Sequence, residues 1–206
     1  MSGRGAPGDG DPHGHPEDDE LLARIAAGEQ RALRRLVERH GRGIRLFAAR
    51  FLGNAADGED VAQDVFVAVW KHAGRFDPSR ARATTWIYRI AANRCVDLRR
   101  WRRFRTFIGL DDVRELVPTD EPGGDDRIGA RQDLALVRGG LARLPERQRM
   151  ALLLRAVADL DVPAIAVAMG STPGSVEQLL VRARRSLRAR LAEMDGVAAD
   201  GQRSVS

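Results

Sequence analysis

The chain has 206 residues, with 34 Lys and Arg side chains against 29 Asp and Glu, and a net charge of +5 at pH 7. Its 43% of hydrophobic residues can build a core, which excludes wholesale disorder, and its length predicts one or two domains. A single cysteine, Cys95, excludes an intrachain disulfide framework. No stretch approaches the roughly 20 apolar residues of a membrane span, and no secretory signal is visible. We therefore expect a soluble, basic, intracellular protein.

Charge is strongly segregated along the chain. Residues 75–105 carry a net charge of +8 and residues 171–191 one of +4, while residues 1–20 and 106–137 each carry −5. All basic residues of these two blocks are arginines. The planar guanidinium of arginine suits forked contacts to phosphate and guanine. A GC-rich genome would also favour arginine, and each block could simply be a solvated helix face. Two basic blocks separated by an acidic segment favour nucleic acid as the partner.

Apolar residues recur every three to four positions through the first half of the chain, which predicts helices. Residues 1–17, rich in Gly, Pro, Asp and His, are predicted to be a disordered tail. The first predicted helix spans 20–27 and is capped by Asp18 or Asp19. The second spans 29–52, with a break or kink at Gly41 and Gly43, and the third spans 57–72. The fourth begins at a Thr84 or Thr85 cap and ends at about Phe104. The stretch 73–83 reads as a loop because it contains Gly74, Asp77-Pro78 and Ser79.

In the second half, periodicity fails from Ile108 to about Gly129, where proline and glycine mark a linker. Four helical segments follow, at about 131–143, 146–157, 161–169 and 173–193. No period-two strand pattern is visible. The predicted fold is all-α, with two small helical domains at 18–107 and 131–194, a flexible acidic linker at 108–130 and a tail at 195–206.

The segment 161–185 predicts a short helix, a turn at Gly170 and a longer helix, which is the geometry of a helix-turn-helix. An ordinary helical hairpin would give a similar pattern. The second helix is expected to leave Ser175, Gln178, Arg182 and Arg185 outward, with chemistry suited to bases and phosphates.

Two further segments carry functional chemistry. In 57–70, Asp57, Asp60 and Asp64 share one helical face beside Gln63, which favours a docking surface over the paired carboxylates of a metal-dependent hydrolase. In 84–105, aromatics alternate with arginines. Arginines bind phosphate and aromatics can stack on unpaired bases, although Trp86 is expected in the core, with Trp101 and Phe104 left open.

Taken together, three ordered motifs resemble the extracytoplasmic-function (ECF) group of bacterial RNA polymerase sigma factors. The sequence EDVAQDVF at 59–66 resembles region 2.2 of that family. WIYRIAAN at 86–93, followed by DLRR at 97–100, resembles regions 2.3 and 2.4. LPERQR at 144–149, together with the later helix-turn-helix, resembles region 4. The resemblance covers about residues 18–193.

The resemblance implies a role for each surface. The first domain would bind the clamp helices of the polymerase largest subunit and recognise the minus-10 promoter element as it melts. The second would read the minus-35 element and touch the polymerase flap. The implied polymerase-binding residues are Asp57, Glu59, Asp60, Gln63 and Asp64, with Phe66 and Trp70 either nearby or in the core. The implied minus-10 residues are Phe76, Arg89, Asn93, Arg99, Arg100, Arg102 and Arg103. Of these, the arginines would bind phosphates, and those at 99–103 form one cluster at the end of the helix. The implied minus-35 residues are Ser175, Glu177, Gln178, Arg182 and Arg185.

The resemblance also implies partners and a mode of action. We expect a non-enzymatic, cytoplasmic transcription initiation factor that binds core RNA polymerase and promoter DNA, with no cofactor, no metal and no membrane insertion. Family members are commonly held inactive by an anti-sigma protein, and one is expected here. The alternative is a conventional helix-turn-helix regulator, which would leave 57–70 and 84–105 without a role. Cys95 is expected to be a buried structural thiol, with redox sensing as the alternative.

Overall fold

The computed structural model describes residues 16–108 and 139–203, and no strand occurs in these ranges. The α-helices, in chain order, are α1 (Pro16–Ala26), α2 (Gln30–Leu52), α3 (Ala55–His72), α4 (Ala83–Phe107), α5 (Glu146–Ala156), α6 (Val162–Met169) and α7 (Pro173–Arg203). A 3₁₀ helix at Ala73–Arg75 follows α3, and residues 139–142 are helical. The predicted tail up to residue 15 and the predicted linker from 109 lie outside the described residues.

The first domain packs α1 to α4 around one core, with α2 and α3 as its most extensive contact. Gly58 permits this close crossing, because a β-carbon there would lie 2.8 Å from the Arg45 carbonyl oxygen and 2.9 Å from Ala49 Cβ. The prediction of a break at Gly41 and Gly43 is wrong, since α2 is continuous. Gly41 is buried, and a β-carbon at Gly43 would meet the Tyr88 hydroxyl at 2.6 Å, so tertiary packing offsets the low helix propensity of both.

Helix starts differ from their predicted positions. Helix α1 begins at Pro16, so Asp18 and Asp19 lie inside its first turns instead of capping it, and the prediction that the disordered tail extends to residue 17 is wrong. Helix α3 begins two residues early because the Asn54 side chain accepts a hydrogen bond from the Asp57 amide at 3.3 Å. Helix α4 begins at Ala83, so neither Thr84 nor Thr85 is its cap. These shifted starts are set by contacts with other helices, or by capping residues that the apolar periodicity does not reveal.

The second domain contains α5, α6 and α7, which pack around Leu154, Ile165, Val176 and Leu180. Helices α5 and α6 match the predicted segments closely, whereas α7 continues to Arg203 and so includes part of the predicted tail. Most of the predicted 131–143 segment lies outside the described residues.

Arg149 of α5 joins the two domains. Its buried guanidinium donates to the Phe51 carbonyl oxygen of α2 at 2.9 Å, and within its own domain to the carbonyl oxygens of Leu144, at 3.2 Å, and Ala142. It also lies 5.9 Å from the centroid of the Phe51 ring. Burial, with repulsion from Arg99, lowers the pKa of Arg149 from its ordinary value. This arginine therefore links α5 to α2.

Candidate nucleic-acid interface

The outer face of α3 is acidic at its start and apolar at its end. Glu59, Asp60, Gln63 and Asp64 are all exposed, because the apolar residues at 61, 62, 65 and 66 bury the other side of this helix. Glu59 contacts Arg45 of α2 at 3.2 Å. Phe66 and Trp70 were each expected either near the polymerase-binding face or in the core. Phe66 is 9% exposed and lies in the core, whereas Trp70 is 36% exposed and lies on the outer face.

Val67 extends this face and was missed by the sequence reasoning. It is 50% exposed and lies four residues after Gln63 and three before Trp70. That spacing places it on the same side of the helix, so the periodicity contained the necessary signal. We define the α3 face as Glu59, Asp60, Gln63, Asp64, Val67 and Trp70.

The prediction that Asp57 belongs to the exposed face is wrong. Asp57 is only 7% exposed. Arg102 of α4 donates hydrogen bonds to its carboxylate from both terminal nitrogens, and Arg102 Nη1 lies 2.6 Å from Asp57 Oδ2. The cause is tertiary, because the last turns of α4 cross the first turn of α3. This contact also removes Arg102 from the group of side chains that project freely toward a phosphate.

One face of α4 is open to solvent. Arg89, Asn93 and Arg100 are exposed, and their spacing of four and seven residues aligns them along the helix. At the start of this face the rings of Trp86 and Phe76 lie 5.7 Å apart in a tilted arrangement, both half-buried. The expectation that Trp86 is a core residue is therefore confirmed in part, since it packs against the core while remaining at the edge of the open face. We define the α4 face as Phe76, Trp86, Arg89, Asn93 and Arg100.

Arg99 and Arg103 lie on a different side of α4 from Asn93. Glu146 of α5 contacts Arg103 at 3.1 Å and Arg99 at 3.8 Å, and the Arg99 guanidinium lies 5.5 Å from the Phe51 ring centroid. The four arginines at 99–103, predicted as one phosphate-binding group, therefore divide into three environments. The physical reason is that a helix turns about 100° per residue, so neighbouring arginines meet different partners.

The aromatics left open in the last turns of α4 lie outside the core. Trp101 is 52% exposed and Phe104 is 59% exposed. The Arg105 guanidinium lies 4.7 Å from the Trp101 ring centroid, a cation–π distance.

The second domain contains the predicted helix-turn-helix. Asp161 caps α6 by accepting from the Ala164 amide at 2.8 Å, and Gly170 takes the left-handed conformation with φ of 56°. The Thr172 hydroxyl then accepts from the Ser175 amide at 3.3 Å at the start of α7. These caps and the turn involve residues close in sequence, so the local pattern was sufficient to predict them.

Helix α7 exposes four of the five predicted base-reading residues on one side. Ser175, Gln178, Arg182 and Arg185 are exposed and spaced by three, four and three residues. Val176, Leu180 and Ala183 are buried on the opposite side. We define the α7 face as Ser175, Gln178, Arg182 and Arg185.

Glu177 is exposed but points elsewhere. It lines a shallow cavity of about 390 Å³ whose other charged side chains are Arg155, Asp161 and Arg184. Its position one residue from Gln178 rotates it away from the α7 face.

Cys95 is buried in α4, as expected for a structural thiol. Burial, with a smaller contribution from the Asp57 carboxylate, raises the pKa of Cys95 to about 12. The thiol is therefore protonated near neutral pH, which does not favour redox reactivity.

Two further properties concern the described part of the chain. No group of three or more His, Cys, Asp or Glu side chains there is arranged to hold a metal ion. None of the helices described is long and apolar enough to cross a membrane.

This arrangement is that of a helical protein with a helix-turn-helix and a separate acidic face on α3, and comparisons with known proteins identify its family. The family model for Sigma-70 region 2 matches residues 36–105, and that for Sigma-70, region 4 matches residues 135–187. The RNA polymerase sigma factor CnrH of Cupriavidus metallidurans is 37% identical over 185 residues, covering 86% of this chain and 96% of that protein. The ECF sigma factor SigL of Mycobacterium tuberculosis is 30% identical over 176 residues, covering 84% of this chain and 98% of SigL.

Two solved structures of sigma factors have a similar fold. CnrH, determined in complex with the cytosolic domain of CnrY, matches with a TM-score of 0.65 and 32% identity over 85% of this chain and 97% of that chain. The sigma factor RpoE of Bartonella quintana, determined with the anti-sigma factor NepR, shares the fold with a TM-score of 0.65 at 20% identity, over 77% of this chain and 96% of that chain. The chain belongs to the ECF sigma factors, and it directs core RNA polymerase to promoters.

Proposed function

We propose that three separate surfaces divide the work of this sigma factor. The observation that carries the proposal is the segregation of exposed charge: carboxylates on the α3 face, arginines on the α7 face, and on the open side of α4 two arginines against one exposed carboxylate, Asp97. A carboxylate face repels DNA, whereas arginine faces attract it. Polymerase binding and DNA binding are therefore assigned to different sides of the first domain.

The α3 face binds the clamp helices of the polymerase largest subunit. Asp60 and Asp64 provide charge that can pair with basic side chains of the polymerase. Val67 and Trp70 provide exposed apolar area beside them, and protein interfaces combine apolar area with adjacent charged residues. Asp57 does not contact the polymerase in this proposal, because it is buried against Arg102.

The α4 face recognises the minus-10 element. Asn93 offers both a donor and an acceptor to the Watson–Crick edge of an extruded base. Arg89 and Arg100 bind phosphates on either side, while Phe76 and Trp86 border the position of the base. The loop at 76–82, which connects Phe76 to the start of α4, belongs to this surface.

The α7 face reads the minus-35 element in the major groove, with Gln178 and Arg182 closest to the bases. By analogy with the family, the second domain would also touch the polymerase flap. The anti-sigma partner is also carried over by similarity, since the homologous CnrH was solved with the cytosolic domain of CnrY. We place the activity in the cytoplasm, without enzymatic chemistry of its own.

Charge reversal on the α3 face tests the division of labour. The double variant Asp60→Arg/Asp64→Arg should lose about 100-fold in competition for core polymerase, because like charges brought together cost several kcal/mol. Its thermal stability should stay close to that of the parent, since both side chains are exposed.

The matched control is Glu20→Arg/Glu38→Arg, which makes the same charge change at exposed positions of α1 and α2. It should compete normally and support run-off transcription. Equal loss of core binding in both double variants would show that net charge, and not the α3 face, determines the affinity.

A further inference from the structure

The first turn of α4 is capped by a side chain from a distant helix. Asp19 of α1 accepts a hydrogen bond from the Ala83 amide through Oδ1 at 2.9 Å, across 64 residues of sequence. The residue at the cap position itself, Arg82, makes no side-chain cap hydrogen bond, because a guanidinium has no acceptor. A free amide at the start of α4 is thus satisfied by α1, and the carboxylate also lies at the favourable end of the helix dipole.

Helix α1 is anchored independently of Asp19. The Asp18 carboxylate is 1% exposed and accepts from Arg39 and from His40 Nε2, the latter at 2.8 Å. Leu22 and Ile25 are buried in the core of the domain. Loss of the Asp19 carboxylate should therefore leave α1 in place.

Helix α1 also contacts the other end of the loop that precedes α4. A β-carbon at Gly74 would lie 4.0 Å from Ala26 Cβ, so the last turn of α1 rests against the 3₁₀ helix Ala73–Arg75. Within the loop, Asp77 accepts from the Ser79 amide at 3.0 Å and from its hydroxyl at 2.6 Å. Helix α1 therefore contacts the 3₁₀ helix just before the loop at 76–82 and caps the helix just after it, and one turn lies within the loop. The end of the loop, at 80–82, also lies beside Pro163 and Val167 of α6.

We propose that Asp19 is a positioning residue for minus-10 recognition: by capping α4 from α1, it sets the loop at 76–82, and with it Phe76, relative to Asn93. This inference rests on the proposed function of the α4 face. Asp19 does not touch the extruded base. It restricts the start of α4, so that the rings of Phe76 and Trp86 and the amide of Asn93 are presented together.

The test uses holoenzyme reconstituted from core polymerase and the full chain. Binding is measured to two fork-junction promoter fragments, identical except that one has an abasic site at the captured minus-10 position. Wild type should prefer the intact fragment. Asp19→Ala should lose up to about fivefold of this preference, which is the factor that corresponds to the roughly 1 kcal/mol by which a lost cap destabilises a helix. Asp19→Asn should retain it, because the amide oxygen still accepts from Ala83.

Glu20→Ala, at an exposed neighbouring position of α1, is the control and should behave as wild type. Core affinity and minus-35 preference should be unchanged in all three variants. A merely structural role would instead lower the thermal midpoint and leave the preference between the two fragments intact, and that result overturns the inference. Equal loss in Asp19→Asn and Asp19→Ala also overturns it, since the hydrogen-bond acceptor would then not matter.

Asn93→Ala separates this inference from the proposed function. If Asn93→Ala loses the preference while Asp19→Ala keeps it, the α4 face recognises the base and the positioning role is wrong. If wild type shows no preference between the intact and abasic fragments, the assignment of the α4 face is wrong, and the inference falls with it.

Discussion

The two candidate DNA-binding surfaces of this sigma factor are held in place by contacts of very different range. The helix-turn-helix depends on Asp161, Gly170 and Thr172, each bonded to a residue three or four positions away. The contacts around α4 instead join Asp19 to Ala83, Asp57 to Arg102 and Glu146 to Arg103, across 64, 45 and 43 residues.

The difference explains why one surface was predicted more accurately than the other. Short-range caps and periodicity determine which side of α7 is exposed, so four of its five predicted residues align. The arginines of α4 have a similar local pattern, yet their partners come from α3 and α5. Their surroundings follow from helix packing, and neighbouring arginines therefore acquire different roles.

The largest expected effect comes from removing Arg149, which links α5 of the second domain to α2 of the first. Arg149→Ala leaves the carbonyl oxygens of Phe51, Ala142 and Leu144 without this donor, and should lower the free energy of unfolding by about 3 kcal/mol. Urea unfolding measures the change. Arg147→Ala is the matched control, because the hydrogen bond from Arg147 to the Ser171 hydroxyl is exposed. It should lower the free energy of unfolding by less than about 0.5 kcal/mol. Similar losses for both would mean that the long-range contact is no more important than a surface one.

The second prediction tests the locally determined surface. Gln178→Ala should cost about 2 kcal/mol at one or two base pairs of the minus-35 element, because a bidentate base contact is lost. Glu177→Ala should leave that preference intact, since Glu177 lines the cavity beside Arg155 and Arg184. The measurement is holoenzyme binding to matched and mismatched promoters. An equal loss by Gln178→Ala on every minus-35 sequence would show that the assigned face of α7 does not read bases.

The smallest expected effect distinguishes two arginines of α4. Arg100 is exposed on the α4 face, so Arg100→Ala should weaken binding to all promoters alike and reduce the salt dependence by about one unit of slope. Arg102→Ala should change that slope less and lower stability by about 1 kcal/mol, because Asp57 loses its partner in a buried position. Binding over a salt series and urea unfolding give the two quantities. Identical salt slopes for the two variants would restore the original prediction of one phosphate-binding group.

Some features of this protein could be predicted because they depend on residues within one or two helical turns. Apolar periodicity predicted α5 and α6 closely, and the helix-turn-helix followed from Gly170 and the polar residues of α7. The acidic start of the α3 face was also predicted, and Val67 could have been added from the same spacing.

Other features were decided by the tertiary structure alone. The burial of Asp57, the contact of Glu146 with Arg99 and Arg103, and the continuity of α2 through Gly41 depend on helices that meet after folding. The cap of α4 shows this most clearly. Thr84 or Thr85 was the predicted cap, whereas the carboxylate of Asp19 in α1 accepts the hydrogen bond from the Ala83 amide. Helix formation and capping signals act over a few residues, so a sequence displays them directly. The partner of a charged or capping side chain is chosen by whichever helix packs beside it, and that depends on the whole core.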